Sequence, residues 1–305
     1  MVYFWHCVLI RFLQLLAMTY LTCMPYTKNI LIPGSDNRPV TLDIFFENDP
    51  QKKPVVIYAH GFNGFKDWGN FDLIAERFAR EGFVMVKFNF SHNGTTPEHP
   101  EDFADLEAFG QNNYSRELAD LHAITDWVCD TANPYRKMID IEQLTLIGHS
   151  RGGGIAILFA AEDERIHKLV TWASVSECKT PWGNWSPEKM QEWEQTGVAW
   201  YTNSRTEQQM PMYYQLYEDF LQNEKRLNIR DAIRRLRLPV LICHGTQDTA
   251  VPVAKAYELK EWQPNAELYI LDSDHVFGRK HPWAEDHLPA AMEAVVSKTL
   301  LFLKG

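Results

Sequence analysis

The order of segments in this 305-residue chain predicts an α/β fold, a mostly parallel, doubly wound sheet with helices on both faces. Three observations carry that expectation. Apolar runs such as Pro54 to Ala59 and Leu144 to Ile147 are short and unbroken, as in strands buried on both faces. They alternate with stretches of helical spacing such as Asn70 to Glu81. Glycine stands where strand gives way to loop or helix, at Gly61 after one run and at Gly148 and Gly152 around Ser150.

In chain order, Ile30 to Phe46 holds two β-like runs separated by the turn formers Pro33 to Asn37, an antiparallel hairpin. Pro54 to Ala59 runs into His60-Gly61-Phe62-Asn63-Gly64. Apolar residues at 71, 73, 74 and 78 give a helix face that Gly82 stops, and Phe83 to Phe90 returns to strand. Strand, helix, strand in that order implies a parallel pair with a right-handed crossover. Ser91 to Asn113 is polar and rich in Gly and Pro, a loop after a strand's C-terminal end. Ser115, as a cap, opens a helix to Asp130 with Leu118, Leu121, Ile124, Trp127 and Val128 on one face.

Lys168 to Ala173 and Leu238 to Cys243 are further strands, and the residues between them differ in character, dense in Trp, Tyr, Glu and Gln. We expect residues 176–237 to form a helical cap over the sheet's C-terminal edge, with helices at Pro187 to Gln195 and Met212 to Lys225. Residues 24–175 and 238–305 then form one core, closing with helix Val253 to Trp262, strand Glu267 to Leu271 and a helix from Trp283 to Leu303.

Forty acidic against 30 basic residues give a formal charge of -10, which argues against a nucleic-acid or anionic-membrane partner. The five cysteines have no CxxC pair and no regular spacing, as expected of reduced thiols. No H-E-x-x-H or Cys/His ligand spacing occurs, and Gly152 to Gly154 lack the Lys-Ser/Thr of a phosphate loop, so neither metal nor cofactor is expected. Met1 to Leu21 is apolar but interrupted by Arg11 and Gln14, with no basic leader and no A-x-A-like cleavage site. Residues 1–23 are therefore set apart from the fold. A true start at Met24 implies a cytoplasmic protein, and a genuine signal would make it secreted or anchored.

The chemistry centres on G-H-S-R-G at 148–152. A nucleophile lifted off a sheet needs a sharp strand-to-helix turn, and that turn aims backbone N–H groups at a developing negative charge. A serine hydroxyl also needs a base, and the base an acid to orient it. Asp248 follows the strand ending at Cys243, and His275 follows the last strand, so Ser150, Asp248 and His275 stand in the order that accompanies such an elbow. Glu177 is a rival acid and His281 a rival base.

With these residues the chain resembles the α/β-hydrolase family from Pro54 onward: H-G-F-N-G at 60–64, G-H-S-R-G, H-G-T-Q-D at 244–248 before Val251-Pro252, and the late Asp274-His275. It looks most like the dienelactone-hydrolase-like and cinnamoyl or feruloyl esterase branches, although true dienelactone hydrolases use a cysteine nucleophile. The resemblance implies an α/β-hydrolase fold with a cap, and an oxyanion hole built from the backbone N–H groups of Phe62 and Arg151. It implies hydrolysis of a small carboxylic ester, with peptidase, amidase, acyltransferase and non-catalytic binding as alternatives. The side chain of His60 reads as structural and that of Arg151 as solvated. Of the insertion's aromatics, Trp172, Trp182, Trp185, Tyr213 and Tyr214 are expected to face the pocket and give it an affinity for apolar or aromatic groups, the alternative being a core for the cap itself.

Overall fold

A computed structural model describes residues 26–305, so the status of residues 1–23 lies outside it. Eight strands form the main sheet: β1 Tyr26–Pro33, β2 Pro39–Phe45, β3 Lys53–Ala59, β4 Val84–Asn89, β5 Ile139–His149, β6 Ile166–Trp172, β9 Val240–Gly245 and β10 Glu267–Leu271. Their order is β1-β2-β4-β3-β5-β6-β9-β10. From β4 to β10 every neighbouring pair is parallel, while β1 and β2 form the antiparallel hairpin at one edge.

The sheet is buried on both faces because its apolar runs supply both sets of alternating side chains. Val55 and Ile57 of β3 point to one face, against Leu118, Leu121 and Ile124 of helix Tyr114–Cys129 and Ile155 of helix Arg151–Ala160. Val56 and Tyr58 point to the other, against Phe71, Ile74 and Phe78 of helix Phe71–Arg80 and Val295 and Val296 of helix Ala290–Lys304. Three helix boundaries differ from expectation. Asn113, not Ser115, caps the helix after the long loop, its side chain accepting from Arg116 N at 2.9 Å. Residues 106–111 of that loop are themselves helical. The last helix starts at Ala290, because Pro289 would fall in the interior of a helix begun at Trp283, where it removes a hydrogen bond and clashes with the preceding turn.

The chain turns from β3 to β4 on one side and then crosses to β5 on the other, so the order reverses between β3 and β5. Ligands in open α/β sheets bind outside the strand ends at such a switch point. Ala59 and Gly148 are register partners there, and two residues on, Gly61 lies beside Ser150.

Residues 176–237 are not all helical. Helix Pro187–Thr196, capped by Ser186 and stopped by the left-handed Gly197, leads into a hairpin of β7 Val198–Thr202 and β8 Gln209–Tyr213. Met212 and Tyr213, expected in a helix, belong to β8, and the helix is Gln215–Gln222. Pro211 is tolerated in β8 because a strand of a two-stranded sheet is paired on one side only. A short helix, Ile229–Arg235, then packs Ile229 against Gly154. Among the described residues no helix is long and apolar enough to cross a membrane.

Candidate active site

Ser150 sits between β5 and helix Arg151–Ala160 with φ 57° and ψ −122°, a conformation costing on the order of 1–3 kcal/mol in a residue with a side chain. Its neighbours hold it there: Ser150 N donates to Trp172 O at 2.9 Å, and its carbonyl accepts from Gly153 N at 3.0 Å and Val175 N at 3.2 Å. A Cβ on Gly152 would lie 2.3 Å from the His60 carbonyl, and one on Gly61 would lie 2.9 Å from Ser150 Cβ. The elbow and the loop after β3 thus touch through positions where only glycine fits. Arg151, as the first helical residue, has an N–H with no acceptor in a preceding turn.

Asp248 and His275 come together from the ends of β9 and β10. His275 Nδ1 lies 2.7 Å from Asp248 Oδ2, and Oδ1 of Asp248 accepts from Ala250 N at 2.9 Å and Val251 N at 2.8 Å. His244, fully buried, places Nε2 3.1 Å from the same Oδ2 and 2.8 Å from the Val251 carbonyl. Burial alone would raise the Asp248 pKa, but the bonds from His244 and His275 outweigh it and hold the carboxyl well below its usual 3.8. His149 Nε2 donates to the His275 carbonyl at 2.9 Å, and burial keeps His149 neutral. His149 and His244 lie inside the quoted motifs, yet their roles were not legible because a motif does not say which way a ring points.

Of the rivals, Glu177 pairs with Lys179 at 2.8 Å, and His281 accepts from Gly69 N at 3.1 Å. The Arg151 side chain is not solvated. It is buried, bonded through Nε to Glu117 at 3.0 Å and lying over the Tyr114 ring at 4.0 Å.

His60 is packed under the loop, its Nδ1 donating to the Gly61 carbonyl at 2.9 Å while Nε2 accepts from Phe90 N at 3.3 Å. Burial lowers its pKa from 6.5 to about 4. Between these values the unfolded chain binds a proton that the folded one refuses. The contribution of His60 is therefore complete above pH 6.5 and is lost as pH falls toward 4. The urea midpoint should drop between pH 7 and pH 5 by more in the wild type than in His60→Gln, which has no proton to gain. Equal drops would mean that the ring is not held neutral.

Ser150 and His275 line one cavity of about 580 Å³ with Phe62, Tyr201, Arg205 and Arg279. None of Trp172, Trp182, Trp185, Tyr213 or Tyr214 lines it, which corrects the expectation for these five. Trp172 ends β6 on the far face, donating to Thr299 Oγ1 at 3.1 Å. Trp182, Trp185 and Tyr214 pack with Trp193 at ring distances of 6.1, 5.0 and 5.3 Å, as a core for the cap. Tyr213 bonds Glu107 at 2.6 Å. A small module needs large rings for its own burial, and that need took these residues. A cap aromatic at the cavity is Tyr201, from the β7–β8 hairpin in the segment expected to form a helical cap.

Residues 54–198 match the family model described as alpha/beta hydrolase fold. The chain is 26% identical over 261 residues to 2-hydroxymuconate semialdehyde hydrolase of Pseudomonas sp. (strain CF600), covering 78% of this chain and 83% of that protein. Among solved structures it is similar to Est1E from Butyrivibrio proteoclasticus with ferulic acid bound, at TM-score 0.66 and 18% identity over 90% of this chain and 100% of that one. The alpha/beta hydrolase GrgF from Penicillium sp. sh18 is similar at TM-score 0.65 and 20% identity, over 92% and 98%. The chain has the α/β-hydrolase fold.

Proposed function

We propose that the protein is a serine hydrolase of carboxylic esters whose substrate carries an acidic group. The observation that carries the first part is that His275, hydrogen-bonded to Asp248, lines the same cavity as Ser150. His275 Nε2 takes the proton of Ser150 Oγ as the oxygen attacks the acyl carbon, while Phe62 N–H and Arg151 N–H bind the oxyanion. The histidine returns the proton to the departing alcohol. Water, activated by the same ring, then displaces the acid from Ser150. Asp248 stays charged throughout and steadies the imidazolium.

The acidic group is argued from Arg279. It lines the cavity at 4% exposure, no carboxylate pairs with it among the described residues, and its Nη1 has no partner. A buried, unpaired guanidinium is costly unless an anion meets it. Arg205 and Lys280 add charge at the same cavity, and among the described residues no acidic one lines it. The substrate name of the Pseudomonas relative likewise denotes a carboxylate. That compound holds no ester, so its hydrolysis breaks a carbon–carbon bond, the second reading for the same nucleophile.

Three substrates separate the readings: p-nitrophenyl acetate, the mono-p-nitrophenyl ester of succinic acid, and 2-hydroxymuconate semialdehyde. We expect both esters to turn over, the succinate better, with Ser150→Ala inactive on each. Arg279→Gln should raise KM for the succinate ester roughly tenfold or more and leave the acetate nearly unchanged, as loss of a charge-assisted bond would. Activity retained in Ser150→Ala would end the nucleophile assignment. Turnover of the semialdehyde alone would replace ester by carbon–carbon cleavage, and equal response of both esters to Arg279→Gln would remove the acidic group.

A further inference from the structure

The loop after β3 is anchored firmly at both ends. At its start His60 is clamped between the Gly61 carbonyl and Phe90 N. At its end Lys66 N donates to Asn89 Oδ1 at 2.6 Å, and Asn93 Nδ2 reaches the Gly64 carbonyl at 3.3 Å. The apex, Phe62 and Asn63, is a turn closed by Gly64 N to the Gly61 carbonyl at 3.0 Å, with Asn63 at φ 57°. Such a turn has a close relative in which the central peptide is rotated. The polar contact that pins the apex side chain comes from outside the loop: the Tyr201 hydroxyl donates to Asn63 Oδ1. The Tyr201 ring also packs against the Phe62 ring at 5.8 Å, and both pack against Phe109, at 6.3 and 5.7 Å.

We propose that Tyr201 is a positioning residue that holds the oxyanion loop in its working turn through Asn63, so that the cap hairpin sets the geometry of the oxyanion donor. The inference rests on the ester-hydrolase reading and extends it. Tyr201 is the last residue but one of β7 and, with residues 202–205 after it, lines the cavity beside Ser150. A substrate pressing on the hairpin therefore acts on the donor as well. A donor fixed before the oxyanion forms stabilises it without reorganising, and one free to rotate does not. The loss should appear in kcat rather than KM, since the planar ester makes little use of that N–H.

The test measures wild type, Tyr201→Phe, Asn63→Gly and the double variant with p-nitrophenyl acetate, alongside the rate at which a fluorophosphonate labels Ser150. Phenylalanine keeps the ring packing and removes the hydroxyl, and glycine keeps the left-handed turn and removes the amide. Each single variant should lose about three- to tenfold in kcat and in labelling rate, as expected for one neutral hydrogen bond, with KM and thermal midpoint nearly unchanged. The double variant should be no slower than the worse single, because both remove the same contact. Asn63→Asp, which keeps an acceptor for Tyr201, should restore most of the rate. Wild-type kcat in Tyr201→Phe, or losses that multiply in the double variant, would overturn the proposal while leaving the esterase reading intact. A wild-type chain that neither turns over the ester nor labels would overturn both.

Discussion

Asp248→Asn should reduce kcat on the order of 10³ to 10⁴-fold while leaving the fold intact. The size of the effect follows from the four donors around the carboxylate. Oδ1 accepts from two backbone N–H groups, at Ala250 and Val251, so an amide cannot put its NH₂ there without facing two donors. Its nitrogen must take the Oδ2 position, where it meets His275 Nδ1 and His244 Nε2. The NH₂ then donates to His275 Nδ1, and the imidazole proton moves to Nε2, the nitrogen that in the proposed mechanism accepts from Ser150. His275 would be present but in the wrong tautomer. The measurement is kcat on the preferred ester, with far-ultraviolet circular dichroism to show that the fold survives. A loss of less than about tenfold would remove Asp248 from the mechanism, and Glu177, which follows β6, would then need the same test.

The sheet was legible in the sequence because each buried strand carries its own signature. An unbroken apolar run such as Pro-Val-Val-Ile-Tyr-Ala at 54–59 has no polar face to offer solvent, and it ends at glycine where the chain must turn. The closeness of Asp248 and His275 was legible for a related reason: parallel neighbours β9 and β10 bring the loops after both strands to the same edge. Less could be read where a contact depends on side-chain direction. The hairpin at 198–213 consists of two five-residue strands in a two-stranded sheet, too short to show alternation against a background of rings. Nothing in the sequence therefore sets Tyr201 apart from its aromatic neighbours, while Trp182, Trp185 and Trp193 pack on one another and Trp172 packs beneath the sheet. Arg279 stands four residues beyond His275, in a segment with no periodicity, and only the fold shows that its guanidinium is buried without a counter-ion. Lys87 was hidden in plain view, a single charge in the strand Phe83 to Phe90.

Lys87→Met should destabilise the protein by about 3–5 kcal/mol, the cost of removing one partner from a buried ion cluster. Lys87 and Asp43 are direct cross-strand partners on β4 and β2, and neither side chain is exposed. The Lys87 ammonium contacts Asp43 at 3.1 Å, Asp72 at 2.5 Å, and Asp67. Lys66, equally buried, contacts Asp43 at 2.8 Å and Asp67 at 2.6 Å. The three carboxylates lie close enough together to suggest a cation site, but the ammonium of Lys87 touches all three and supplies the positive charge itself. Burial would lower the Lys87 pKa, and the three carboxylates more than reverse that, so the group is charged at every accessible pH. Methionine fills much of the same volume but leaves Asp67 and Asp72 facing each other across an apolar chain. Because Lys66 and Asp67 follow the oxyanion loop within three residues of Gly64, the loss should also slow turnover, which separates this cluster from a surface network. Urea unfolding gives the stability change. If the single variant fails to fold, Lys87→Met combined with Asp72→Asn should recover it in part, because the second change removes one of the two carboxylates that then face each other across the methionine, Asp72 keeping only its partner Lys28. A midpoint close to wild type for Lys87→Met alone would show that the cluster is solvated rather than buried, and that the edge of the sheet opens to water beneath the oxyanion loop.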